Sequence, residues 1–522
     1  MSTWSQFSKE STFLPQMPGS RPSLPPTERA AAPQSSADDA KVAKVPKSSR
    51  PRIGPPPKTL FRLLGHYYSG LNLTLSVTEG SFFLIAFMLG VATRFGFQLP
   101  PQTPIGEIVV IGIAYAIVMS LAVTALGLYQ RGLHDADAGR FRLLTAFAGG
   151  TAALSVIYYL IPPISIGRGV MAWALLFSFV GSVAIRESWR GLAGTDVTTR
   201  RVLVVGAGRN AQRIADLSTA VPTIGFTVIG YLPLPRSEGM LPDEMLVPHR
   251  DRLLKHALEQ KIDEIVVACD DRSTLPIDEL LDCRLSGITV LDQVDFFERE
   301  LNMIDIDLLN PDWIVFSRNG FHLGIAALIA KRVLDLSLGG LILIATAPLM
   351  AIVAIASLIE SGGRHPILYH QTRVRQGGIT FRLHKFRSMR VDAESDGKAR
   401  WAAHNDDRIT RLGAFLRRTR LDELPQLFNV IKGEMSLVGP RPERPEFVER
   451  FSATIPFYAE RHRLKPGLTG WAQLYYPYGS GDEDAKRKLE FDLYYIKHAS
   501  VVLDLIVIVQ TVEVVLFGKG AR

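Results

Sequence analysis

Four long apolar segments follow one another near the start of this chain, and that run restricts the fold more than any other feature. The first lies around Leu71–Thr93 and carries Glu79 inside it; the others are Ile105–Tyr129, Leu143–Ile161 and Gly169–Ile185. A helix needs about 20 mostly apolar residues to cross the hydrocarbon core of a bilayer. Each segment is close to that length and the loops are short, so four membrane helices are expected over residues 66–190. The loop cations set the orientation. Lys58 and Arg62 precede the first helix, and Arg131, Arg140 and Arg142 lie in the second loop. The first loop has no Lys or Arg, and the third has only Arg168. Lys and Arg collect on the cytoplasmic side, which places the N-terminus and the chain after Ile185 in the cytoplasm.

The flanks read differently. Residues 1–65 are rich in Pro, Ser, Ala and charge and have no periodicity, so a disordered cytoplasmic tail is expected there. Residues 196–318 alternate short strands with helices, the pattern of a small parallel α/β sheet. Within them "RRVLVVGAGRNAQRIADL" reads as strand, glycine-rich turn and helix, with G-x-G-x-x-A at Gly206, Gly208 and Ala211. A dinucleotide site needs an acid about twenty residues further on to hold a ribose. The second strand instead runs into "YLPLP", with no Asp or Glu at its end. The expectation is a Rossmann-like domain with a structural, regulatory or assembly role. Cys269 and Cys283 have no metal spacing and read as reduced thiols.

A fifth apolar segment, Val333–Ile359, is also long enough to span, but Pro348 sits in its middle. A proline inside a helix costs about 3 kcal/mol and bends it. A full span would put the densely basic remainder of the chain outside the cell. A re-entrant helix over residues 330–360 keeps it inside. The net charge of +8 suits an anionic partner such as a nucleotide, a phosphate or a lipid headgroup. The last apolar stretch, Val501–Phe517, is interrupted by Asp504, Gln510 and Glu513 and reads as an amphipathic helix at the membrane surface.

The chemistry centres on "LRRTRLDELPQLFNV", where Asp422 and Glu423 stand side by side behind Arg417, Arg418 and Arg420. Such a pair alone describes a solvated helix face whose ion pairs contribute little. Its neighbours change that reading. "KFRSM", "LDELPQLFNV", "SLVGPRP" and "KPGLTGWAQ" occur in this order after the proline-interrupted helix. Together they resemble the bacterial polyprenyl-phosphate sugar-1-phosphate transferases, the monotopic phosphoglycosyl transferases that initiate exopolysaccharide and O-antigen synthesis. The resemblance covers Lys331 to Phe517. The four helices and Rossmann-like domain in front resemble the large form of that family, and the C-terminal ending resembles its exopolysaccharide branch, the undecaprenyl-phosphate glucose phosphotransferases. His365 and Arg375 depart from the family pattern, standing where glycine is frequent.

The resemblance implies transfer of a sugar-1-phosphate, glucose-1-phosphate first, from a UDP-sugar to undecaprenyl phosphate with release of UMP. It makes Asp422 the nucleophile that forms an acyl-phosphate, and Glu423 the ligand of Mg²⁺. Neighbours on a helix point apart, so one carboxylate could face phosphorus and the other a metal. The arginines would keep the dyad ionised and fork phosphate oxygens. Lys385 and Arg387 would contact phosphate and Arg441 the nucleotide end, with Arg373 and Arg418 as further phosphate contacts. His404, His462 and Trp471 are expected to be structural. The implied fold class is α/β plus membrane helices, ending in a mainly helical catalytic domain over residues 326–522. The implied partners are UDP-sugar, undecaprenyl phosphate and membrane lipid, with no nucleic acid; self-association is compatible with the pattern. The implied location is the bacterial inner membrane, multi-pass, with the catalytic domain facing the cytoplasm. Two rivals are a membrane-anchored, dinucleotide-dependent sugar oxidoreductase or epimerase, and a non-catalytic membrane scaffold. The first lacks its ribose acid, and the second gives no reason for an acidic pair among cations.

Overall fold

The apolar segments form helices whose outer and inner faces are both apolar. The computed structural model describes residues 60–516, except 64–65, 97–103, 130–135, 162–166, 193–198, 221–225, 236–238, 248–252, 310–322, 391–405, 407 and 477–480. Of the tail expected over residues 1–65, residues 1–59 and 64–65 lie outside the described residues, as do the loop cation Arg131 and His404, while Leu60–Leu63 forms a strand where disorder was expected. A short hairpin, β1 (Leu60–Leu63) and β2 (His66–Ser69), leads into α1 (Gly70–Arg94), α2 (Ile105–Ala125), α3 (Ala136–Leu160) and α4 (Arg168–Leu192). Phe83, Phe87, Tyr115, Met119, Phe147 and Ala174 pack between these helices. Val110, Ile117, Leu144 and Val180 face outward and exposed, as they would toward lipid.

Glu79, the residue that weakens the first apolar segment, is fully buried. Its carboxylate accepts from Arg186 Nε at 2.7 Å and Nη2 at 2.6 Å, and from the Ser182 hydroxyl. The acid therefore ties α1 to α4, as intramembrane charges do when they pair across a bundle. Removing one partner of a buried pair strands the other charge and costs about 3–5 kcal/mol. Glu79→Ala is expected to lower the Tm of the detergent-solubilised protein accordingly, and Glu79→Met combined with Arg186→Met to recover most of it. An unchanged Tm in the single variant would show that the pair carries none of the bundle's stability.

The middle of the chain builds β3 (Arg200–Val205), α5 (Arg209–Ala220), β4 (Phe226–Leu232), α6 (Leu253–Glu259), β5 (Glu264–Val267), α7 (Ile277–Leu285), β6 (Thr289–Asp292) and α8 (Gln293–Leu301). The four strands are parallel in the order β4-β3-β5-β6. Val202, Leu203, Val204 and Val205 are all fully buried, as expected of an inner parallel strand covered on both faces. Gly206 follows with φ +128°, and a Cβ there would stand 2.4 Å from the Ala268 carbonyl oxygen, so the turn requires glycine.

The remainder comprises α9 (Ile325–Ser361), β7 (Leu368–Val374) antiparallel to β8 (Thr380–Phe386), α10 (Arg411–Thr419) and α11 (Gln426–Lys432). Next come β9 (Ser436–Val438), α12 (Pro445–Thr454), β10 (Gly467–Thr469) parallel to β9, α13 (Trp471–Tyr475), α14 (Asp482–His498) and α15 (Val501–Leu516). Among the described residues, five helices are long and apolar enough to cross a membrane: α1 to α4 and α9. At 37 residues, α9 is about 55 Å long, well beyond the roughly 30 Å hydrocarbon core.

Both halves of α9 touch the C-terminal part of the chain, through different elements. Before Pro348, Lys331 Nζ donates to the Val438 carbonyl at 2.9 Å, and Asp335 accepts from the Ser436 hydroxyl and Leu437 N–H, each at 2.9 Å. Arg332 donates to the carbonyls of Val430 and Ile431 at 2.8 and 2.7 Å, satisfying the end of α11 with a favourable charge. Beyond Pro348, Val353 packs with Phe386 and Leu416, and Glu360 accepts from Leu412 N–H at 3.1 Å. Ile344, Ile352 and Ile359 point outward.

One expectation changes. Two of the polar residues expected to face water, Asp504 and Gln510, are buried instead; the side chain of Glu513 lies outside those described. Asp504 accepts from Lys331 Nζ and the Tyr495 hydroxyl, each at 2.6 Å. Buried Lys331 needs a counter-charge, and Asp504 supplies it from α15, whose exposed apolar side carries Leu505 and Val512.

Candidate active site

"KFRSM" ends β8 and turns toward α10. The Thr410 hydroxyl accepts from Gly413 N–H at 2.9 Å and so caps α10. A Cβ at Gly413 would lie 2.0 Å from the Ser388 carbonyl oxygen, so glycine lets the helix press against this motif. α10 stops at Arg420, a non-glycine residue with φ +61°. The left-handed residue redirects the chain into a single 3₁₀ turn, Leu421–Glu423. The acidic pair therefore stands on a tight turn between two helices and not on a helix face, which corrects the expectation. Leu421 and Leu424 pack beside Val353, Phe386 and Leu416, anchoring the turn from both sides.

The two carboxylates are treated differently. Glu423 Oε1 accepts from Lys385 Nζ at 3.2 Å and Arg441 Nη2 at 2.9 Å. Asp422 is buried, and among the described residues its carboxylate makes no hydrogen bond or ion pair. Burial and the neighbouring Glu423 charge push the Asp422 carboxyl up to about 6, against the pull of Lys385, Arg417 and Arg441. Burial acts on Glu423 in the same direction, but Arg441, Lys385 and Arg420 overcome it and hold that carboxyl well below the usual range. The cations thus secure the charge of Glu423, while Asp422 keeps an unengaged carboxylate that is mostly ionised at neutral pH. Lys385 is pushed down by burial despite the Glu423 charge.

Arg441 reaches Glu423 from a turn whose backbone is held on several sides. Lys331 donates to the Val438 carbonyl at 2.9 Å, and Gly467 N–H donates to that of Pro440 at 2.9 Å. Arg461 Nη2 donates to the Arg441 carbonyl at 3.1 Å, and Arg373 Nη1 to that of Pro442 at 3.0 Å. Arg373 also bonds Gln371 Oε1 at 2.6 Å and pairs with Glu443 at 3.4 Å. Its fork is thereby engaged in holding the turn, which the sequence-based phosphate assignment did not foresee.

Arg387 is half-buried, and its Nη1 is buried with no hydrogen-bond partner. Such a donor suits an anion. Arg418 lies exposed in the last turn of α10 and makes no hydrogen bond to the dyad. A cleft of about 190 Å³, counting its open mouth, lies beside Arg441 and is lined by Arg375, Pro440, Pro442, Arg461 and His462. Burial pushes His462 down to about 4, so it is neutral at physiological pH. Trp471 is a core aromatic whose Nε1 donates to the Asn302 carbonyl at 3.0 Å. Arg461, Lys331 and Asp335 escaped the sequence reading. For Lys331 and Asp335 the one signal was the presence of charged residues at the start of an apolar helix; Arg461, in a 3₁₀ turn, gave none.

At the other glycine-rich turn, the amides that open the helix are capped from within. At the carboxyl ends of β3 and β5, where parallel sheets receive ligands, the Asp270 carboxylate accepts from Arg209 N–H at 3.0 Å and Asn210 N–H at 3.1 Å. These amides open α5 and are the ones a pyrophosphate would need.

Residues 326–518 match the family described as bacterial sugar transferase. The chain is 29% identical over 483 residues to the UDP-glucose:undecaprenyl-phosphate glucose-1-phosphate transferase of Xanthomonas campestris pv. campestris, covering 88% of this chain and 96% of that protein. It is 34% identical over 361 residues to the protein of the same name from Escherichia coli (strain K12), covering 67% of this chain and 76% of that one. It is also 44% identical over 192 residues to the UDP-N-acetylgalactosamine-undecaprenyl-phosphate N-acetylgalactosaminephosphotransferase of Aeromonas hydrophila, covering 37% of this chain and 45% of that relative.

Proposed function

The chain belongs to the bacterial sugar transferases, and from that premise we propose that it transfers glucose-1-phosphate from UDP-glucose to undecaprenyl phosphate, releasing UMP. The observation that carries the chemistry is the unequal treatment of the adjacent carboxylates: Glu423 is engaged by Lys385 and Arg441, and Asp422 is left unbonded. An Asp422 oxygen attacks the sugar-bearing β-phosphorus of UDP-glucose. The bond to the bridging oxygen breaks, UMP leaves with that oxygen, and an aspartyl-phosphosugar remains. A phosphate oxygen of undecaprenyl phosphate then attacks the same phosphorus, expels the Asp422 carboxylate and yields the diphosphate-linked lipid sugar. Splitting one displacement into two is the usual gain of a carboxylate nucleophile. Lys385, Arg387 and Arg441 stabilise phosphate oxygens as charge shifts toward UMP. The cleft beside Arg441 takes the nucleotide end.

Mg²⁺ fits this site. Glu423 is held ionised, and its second oxygen accepts no hydrogen bond among the described residues. Mg²⁺ is commonly held by one or two carboxylates and otherwise by phosphates and water. When bound, the ion neutralises diphosphate charge and favours the leaving group.

The full-length relatives named for glucose favour that sugar, while the 44% identity of the C-terminal part to an N-acetylgalactosamine enzyme favours a second reading. UMP release from a panel of UDP-sugars, with purified protein and undecaprenyl phosphate, decides between them. Turnover of no UDP-sugar would remove the proposal. The self-capped turn at Asp270 weighs against nicotinamide chemistry in the middle domain, which we read as a Rossmann-like structural or regulatory unit.

The same reading places the protein in the inner membrane with residues 326–522 in the cytoplasm, where UDP-sugars are found. The re-entrant form of α9 is supported by its contacts with the C-terminal part on both sides of Pro348, with β9 before it and with β8 and α10 after it, since a full crossing separates the ends of a helix. A reporter active only in the periplasm, fused after Arg522, is expected to stay silent. Activity of that reporter would mean a full crossing.

A further inference from the structure

α14 touches the middle domain on one side and the active-site turn on the other. On the first side, Glu298 accepts from Lys497 Nζ at 2.7 Å and pairs with His498. Ile304 N–H donates to the Glu490 carbonyl at 3.0 Å, and Tyr494 donates to Asn302 Oδ1 at 3.2 Å. Residues 298–306 directly follow the parallel sheet, so the helix is braced by that domain. On the second side, buried Asp492 accepts from Arg461 Nη2 at 2.9 Å. The same nitrogen donates to the Arg441 carbonyl, while Arg461 Nη1 bonds the Tyr458 hydroxyl. Arg441 in turn holds Glu423 at 2.9 Å. Neither Asp492 nor Arg461 touches the acidic pair, although Arg461 lines the cleft beside Arg441; both are buried, and buried charges are costly unless paired and hydrogen-bonded.

We propose that Asp492 and Arg461 are positioning residues that set Arg441 against Glu423, and that the parallel-sheet domain, by bracing α14, holds them in place. The inference rests on the proposed reaction only for its kinetic readout. It gives the middle domain a task that needs no ligand of its own: to fix one helix of the catalytic part.

The test uses the full-length protein. Asp492→Asn keeps the side-chain shape and removes the charge, and is expected to lower kcat/KM about tenfold to a hundredfold, as the loss of a supporting residue commonly does. Because the effect acts through Arg441, adding Asp492→Asn to Arg441→Ala should cost nothing further; effects that multiply would overturn the proposal. Glu298→Gln should give a smaller loss that is likewise absent in the Asp492→Asn background. Hydrogen exchange provides a second readout, made without substrate. The amides of Val438, Gly439 and Arg441 should exchange faster in Asp492→Asn and in Glu298→Gln, and unchanged exchange in both would overturn the proposal. If Asp492→Asn does not fold, Asp492→Glu and Arg461→Lys are measured in the same way. A wild-type protein that releases no UMP defeats the proposed reaction, and the exchange experiment still decides the positioning.

Discussion

Mixed with UDP-glucose and no lipid, the wild-type protein is expected to release about one UMP per chain in a burst and to gain the mass of a hexose phosphate. Intact-protein mass spectrometry after a brief incubation should show the adduct, and digestion should place it on the peptide containing Asp422. Asp422→Asn retains the volume of the side chain but not its anionic oxygen. It should enter the membrane, bind UDP-glucose, form no adduct and lose at least about a thousandfold in turnover. The adduct experiment separates the two carboxylates, which loss of activity alone cannot do, because either variant is expected to be nearly inactive. Wild-type turnover only as a ternary complex, with no burst and no adduct, would falsify the double displacement. The lipid phosphate would then attack UDP-glucose directly, with Asp422 as its general base.

The parts of this fold that were legible in the sequence are those imposed by solvent. A bilayer demands about 20 apolar residues in a row, so α1 to α4 and α9 announce themselves, although only α1 has both ends within a residue of the expected bounds and α3, α4 and α9 run seven or eight residues beyond theirs at one end. The dyad was visible because its neighbouring motifs are ordered along the chain. Its geometry was not, because the turn depends on Arg420 taking a positive φ, and nothing in an arginine marks that conformation. Long-range partners were hidden for a different reason. Glu79 weakens a hydropathy window, yet it is satisfied by Arg186, 107 residues away. Asp504 looked like a polar face for water, yet it meets Lys331 across 173 residues. Local pattern reports that a charge is out of place; only the packed structure says what neutralises it. Arg373, expected at phosphate, also bonds Gln371, Pro442 and Glu443, partners that local pattern does not indicate.

Glu423→Gln is expected to be nearly inactive for a reason distinct from that of Asp422→Asn. The Glu423 charge lies among Lys385, Arg441 and Arg420, and these cations keep it ionised against its burial. Glutamine preserves the length of the side chain and one acceptor oxygen, but it removes the charge that Lys385 and Arg441 share. It also removes the anionic oxygen that would hold Mg²⁺. The nucleophile itself should not suffer. Burial and the Glu423 charge together raise the Asp422 carboxyl to about 6, so neutralising residue 423 lowers it and leaves Asp422 more fully ionised. Raising the pH should therefore fail to rescue the variant, whereas a loss caused by a protonated nucleophile would recover. Turnover by the wild type should vanish in EDTA and return with Mg²⁺ or Mn²⁺, and any residual activity of Glu423→Gln should demand more metal. The size of the loss, about a hundredfold to a thousandfold, is what removal of one electrostatic stabiliser of a developing anion commonly costs. Full wild-type activity in EDTA would leave Glu423 only as the counter-ion that orders Lys385 and Arg441. In that case Glu423→Asp, which keeps the charge while shortening its reach, should retain most of the turnover; a metal ligand displaced by one methylene should not.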